Sequence, residues 1–109
     1  MLHTLNKAWI KCFLNQAKKN SNLSFLFVAK SEEEQKVIAK IISNLFQKKD
    51  FIKDLFITSF GYYYITTEKE VIRDMTHFSE YFPMWDDILI SHDIHDPMII
   101  NFLLFLQMN

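Results

Sequence analysis

The chain is short of the residues that make linkers, loops and covalent staples. Among its 109 residues there are one Gly, two Pro and one Cys. With so little Gly and Pro, neither a flexible linker nor a long disordered tail is expected, and the chain should be compact throughout. One glycine, Gly61, cannot build a Gly-rich phosphate loop, and no cofactor is expected. The lone Cys12 can form no internal disulfide and excludes a zinc ribbon, which fits a reducing cytoplasm. It also has no evident paired base, and no Ser shows the spacing of a nucleophile elbow. Catalysis is not expected.

An excess of either charge is lacking as well. Twelve basic and 13 acidic side chains leave a formal net charge of -1. Proteins that grip a phosphate backbone usually carry a basic excess, so direct nucleic-acid binding is not expected. Lys7, Lys11, Lys18 and Lys19 are read instead as keeping an N-terminal segment in water. Long apolar runs are missing too. The longest, Met98 to Leu106, is interrupted by Asn101 and is about half of the ~20 residues that span a bilayer. The N-terminus does not read as a signal peptide. A cytoplasmic protein without membrane contact is the expectation.

What the chain does have is core material. Half of it is apolar and 16% is aromatic, including eleven Phe. That suffices for one domain over residues 1–109. The domain is organised around residues 23–47. Leu23 to Ala29, LSFLFVA, is a short apolar run suited to a buried strand. Ser31 with Glu34 three residues later is a capping box, in which Glu34 reaches back to the Ser31 amide. Val37, Ile38, Ile41, Ile42, Leu45 and Phe46 then form one helical stripe, with Lys36, Lys40 and Asn44 off it.

Residues 1–20 place Leu2, Leu5, Trp9 and Phe13, and less exactly Ile10 and Leu14, on one face of a predicted helix. Two readings compete for it: a cap on the core, or an amphipathic segment docking in another protein with Trp9 as anchor. Lys48 to Lys53 reads as a charged connection containing Phe51 and Ile52. Leu55 to Thr67 predicts one or two strands, joined by a hairpin or broken by a bulge near Gly61. Tyr62, Tyr63 and Tyr64 resemble a base-stacking surface, but alternation to the two faces of a strand explains them better.

Thr67 and Glu70 repeat the capping spacing ahead of a helix with the stripe Val71, Ile72, Met75, Phe78. Tyr81 to Trp85, YFPMW, is made irregular by Pro83 and is either an interior plug or a contact patch, with Phe82 and Trp85 as its candidate anchors. Ile88 to Ile90 predicts a strand. Asp96 then caps a last helix, Pro97 to Gln107, with Pro97 in its first turn. That helix is apolar nearly all round, so it is either sandwiched in the core or covered by a partner. His92, Asp93, His95 and Asp96 contain zinc- or manganese-type ligands, but the histidines precede a helix rather than ride on one, so a solvated connection is the expectation and no metal. The order α, β, α, β(β), α, β, α argues for an α/β domain with a small, mainly parallel sheet and helices on both faces.

This pattern resembles the psi subunit of the bacterial DNA polymerase III clamp-loader assembly. The residues that carry the resemblance are Leu5 and Trp9, then FLFVA running into the helix that ends IISNLF, and the closing DILISHDIHDPMIINFLLFL. It covers most of the chain through pattern and order. It implies a non-enzymatic adaptor in DNA replication. The N-terminal segment would dock on the clamp-loader ATPase, and the domain would bind a chi-like subunit that contacts single-strand-binding protein. The partner-binding residues would be Leu2, Leu5, Trp9, Phe13, Phe82 and Trp85. The alternative is an unrelated small cytosolic interaction protein, an inhibitor or chaperone of another target.

Overall fold

The computed structural model describes residues 2–5, 10, 15, 23–46, 51–52, 55–58, 61–73 and 85–108. Six strands form one sheet in the order β1-β6-β2-β5-β4-β3. The strands are β1 (Leu2–Leu5), β2 (Leu23–Ala29), β3 (Phe51–Ile52), β4 (Leu55–Thr58), β5 (Gly61–Thr67) and β6 (Asp87–Ser91). Among the described residues they are accompanied by helices α1 (Glu32–Phe46), α2 (Glu68–Arg73) and α3 (Pro97–Met108). Neighbouring strands β1, β6, β2 and β5 all run parallel. Only the β5–β4 and β4–β3 pairs are antiparallel. The result is a small, mainly parallel α/β sheet.

Strand β2 lies at its centre, paired to β5 on one side and β6 on the other. Its side chains alternate. Phe25, Phe27 and Ala29 enter one core with Ile38 and Ile42 of α1. Leu26 and Val28 enter the second, with Val71 of α2 and Ile99, Leu103 and Leu106 of α3. Because helices cover both faces, the strand is apolar at consecutive positions instead of alternating with polar ones. Ile10, which is helical, joins the α1 face.

The crossovers share one hand. From β2 to β3 the chain moves one way across the sheet by way of α1. From β5 to β6 it moves the other way over the α2 face. A single hand for parallel crossovers is what right-twisted strands require.

Four expectations need correction. Leu2–Leu5 is a strand, not the start of a helix: its backbone pairs with β6 in the register Leu2↔Ile88 to Leu5↔Ser91. The continuous helical stripe Leu2, Leu5, Trp9, Phe13 therefore does not exist. Phe51 and Ile52 are a short strand on β4 rather than part of a connection. The stripe on α1 is rotated: Ile38 and Ile42 are fully buried and Ile41 is half-buried, but Val37 is exposed. Exposed Ile72 likewise leaves the predicted stripe of α2, whose Met75 and Phe78 lie outside the described residues. The Leu55–Thr67 stretch resolves as two strands in an antiparallel hairpin, with Thr58 opposite Gly61.

Candidate functional site

In parallel α/β sheets small ligands gather at the carboxyl ends of the strands, where helix N-termini offer backbone N–H donors. Here those ends carry Lys30 and Ser31 after β2, Thr66 and Thr67 closing β5, and Ser91 to Asp96 after β6. Each following helix is capped by the chain itself. Ser31 Oγ accepts from the Glu34 N–H at 3.3 Å, and the Glu34 carboxylate accepts from the Lys30 N–H at 2.8 Å. The capping box is present, with its return arm reaching Lys30. Thr67 Oγ1 accepts from the Glu70 N–H at 3.2 Å, while Thr66 donates to the Glu70 carboxylate at 2.9 Å. Asp96 Oδ1 accepts from the Met98 N–H at 2.9 Å.

Carboxylates therefore crowd these termini, with Glu32, Glu33 and Glu34 in the first turn of α1 and Glu68 and Glu70 in that of α2. They complement the helix dipole and would repel a phosphate placed there. Lys30 turns to Glu68, with Nζ and Oε1 2.9 Å apart, so the basic side chain at this edge is engaged with an acid.

The histidine-rich turn is held by its backbone. The Ile94 N–H donates to the Ser91 carbonyl at 3.1 Å. His92 Nε2 and Asp93 Oδ1 approach to 3.3 Å, both largely in solvent. Among the described residues no group of three or more His, Cys, Asp or Glu is placed to hold a metal ion.

The tyrosine run alternates faces. Tyr63 is buried and stacks on Phe25 with centroids 5.2 Å apart. Tyr64 is half-buried on the opposite face, against Trp85 at 6.3 Å. These rings are walls of the two cores.

The exposed apolar surface lies elsewhere. Helix α3 contains no charged residue and packs against α2, β1 and β6. It buries Ile99, Leu103 and Leu106, yet Met98 and Phe105 are 55% and 58% exposed and Leu104 is exposed as well. On the adjoining α2, Ile72 is exposed too. A helix apolar on every side can give only one side to the sheet, so this surface was signalled by the composition of residues 98–106. Sequence reasoning assigned partner contact to other residues. Of these, Leu5 and Trp85 are each only 4% exposed and belong to opposite cores, so they offer almost no surface to a partner. Leu2 lies in β1, and Trp9, Phe13 and Phe82 fall outside the described residues.

Compared with family models, curated proteins and solved structures, the chain matches none. No helix among the described residues is long and apolar enough to cross a membrane.

Proposed function

We propose that the chain is a non-enzymatic adaptor that binds other proteins through the α2–α3 side of the domain. The observation that carries this reading is the uncharged helix α3, with Met98, Leu104 and Phe105 exposed, together with exposed Ile72 on the adjoining α2. Solvated apolar side chains gathered on adjoining helices favour burial against another protein, and aromatic and Met side chains are enriched in such interfaces. The self-capped, acid-lined strand ends argue against an anionic small-molecule substrate.

The resemblance to the psi subunit supplies the partners. A chi-like subunit would take the domain surface, and the clamp-loader ATPase would take the segment containing Trp9 and Phe13. A titration of the purified chain against both proteins tests this. Micromolar or tighter binding to the chi-like subunit, weakened by Leu104→Lys, supports the adaptor of a replication complex. Binding to neither partner would overturn that assignment and leave the unrelated inhibitor or chaperone as the reading to pursue.

A further inference from the structure

Helix α3 faces the sheet with Ile99, Leu103 and Leu106, all buried. At about 100° per residue the opposite side of the helix is centred on Asn101, which is exposed. Pro97 and Met98 lie one turn before it and Leu104 and Phe105 one turn after it, and all four are exposed. Ile100 and Phe102, its neighbours in the chain, are both half-buried, and Ile99 and Leu103 beyond them are both buried. Exposure thus reads the same in either direction from Asn101. A face of that kind is self-complementary under a twofold rotation. Its centre is also its one polar side chain, an amide in the middle of an apolar stripe.

We infer that this outer face of α3 pairs antiparallel with α3 of a second copy of the chain, on a twofold axis that passes at Asn101. There the two Asn101 amides meet. Each offers a donor and an acceptor, so the pair is satisfied reciprocally, whereas a purely apolar surface closing over Asn101 would strand both groups. A single Asn in an apolar helix seam sets register and partner number in the same way. With Asn101 on the axis, Met98 comes opposite Phe105 of the second copy and Pro97 opposite Leu104, and each contact is made twice. Thioether against an aromatic ring is a favourable contact. Area sets the strength of the pairing. Met98, Leu104 and Phe105 each leave on the order of 100 Å² in water, and with Pro97 and Asn101 two copies remove roughly 900 Å² together. That is too little for a permanent interface and suits a reversible one. Self-pairing shields the apolar face in the free chain and yields to a tighter partner. It stands apart from the adaptor reading, since it needs only this chain.

Sedimentation velocity of the full chain alone, over a range of concentrations, tests it. The expected result is a monomer–dimer equilibrium with a dissociation constant of roughly 10–500 µM. Asn101→Asp and Asn101→Lys each oppose like charges on the axis and should raise that constant about tenfold or more. Mixing the two variants should restore association as a heterodimer, which only a residue that meets its own copy can give. Because Asn101 is exposed, both variants should fold, and thermal unfolding checks that they do. Should either fail, amide chemical shifts of the unmodified chain decide: those of α3 must move with concentration while those of β2 stay fixed. A monomer up to ~1 mM would leave the face to a different protein and overturn the inference. An unchanged constant in Asn101→Asp, no heterodimer on mixing, or α3 shifts that ignore concentration would each do the same. Titration with a chi-like subunit is a separate measurement, so the adaptor reading and self-pairing fail separately.

Discussion

A few polar side chains tie the elements together. Gln35, on the same face of α1 as Ile38 and Ile42, is buried, and its Nε2 donates to the Ile65 carbonyl at 3.0 Å. Ile65 lies just past Tyr64, the last β5 residue matched by β4, so Gln35 supplies a donor where the hairpin has run out. Removing a donor from a buried carbonyl costs more than a typical hydrogen bond contributes, so Gln35→Leu should destabilise by about 1–3 kcal/mol in urea unfolding. Lys30→Met makes the control. Its ion pair with Glu68 is about half exposed at the lysine end, so the loss should stay within ~1 kcal/mol. Asp86 is a second tie: its carboxylate accepts from the Ser24 N–H at 2.7 Å, and its own N–H donates to the Ser24 carbonyl at 2.9 Å. Neither tie is visible in the sequence, because each joins residues from different elements with no local spacing to mark them.

Among the elements, α1 decides how well periodicity was read. Val37 and Ile38 are adjacent and equally apolar, so spacing alone places both on the stripe, yet only Ile38 is buried. Ile38→Ala should cost about 2–5 kcal/mol, and Val37→Ala under ~1 kcal/mol. Equal losses in thermal unfolding would mean that α1 sits in a different rotation. What was legible was whatever is settled locally: the run LSFLFVA, the caps at Ser31, Thr67 and Asp96, the strand character of Leu55–Thr67 with a hairpin or a bulge near Gly61, and hence the α/β class. What was not legible was settled by distant partners. LHTL fits a helical stripe as well as a strand, and only pairing with β6 chooses between them. Two residues at Phe51–Ile52 are too few for any period to show. The candidate site suffered most, because burial of Leu5 and Trp85 is a tertiary fact that residue type does not encode: Trp fits an interface anchor and a core wall alike.

For the whole molecule, the issue is why α3 leaves apolar side chains in water. The sheet and α2 take Ile99, Leu103 and Leu106, and no second layer among the described residues covers the remainder. If that remainder serves stability alone, replacing it with lysine should disturb folding. If it serves a partner, lysine should leave folding nearly untouched and damage binding. Met98→Lys with Leu104→Lys separates these outcomes, since both side chains are substantially exposed. The double variant should unfold within ~1 kcal/mol of the parent, as surface substitutions do, while a chi-like partner loses ~2 kcal/mol or more of affinity. Leu103→Ala, in the buried row of the same helix, should do the reverse: about 2–5 kcal/mol of stability lost and unchanged affinity for the fraction that remains folded. Urea unfolding and calorimetric titration on the two variants give four numbers. A lysine variant that binds as well as the parent would remove α3 from the interface, whatever its effect on stability.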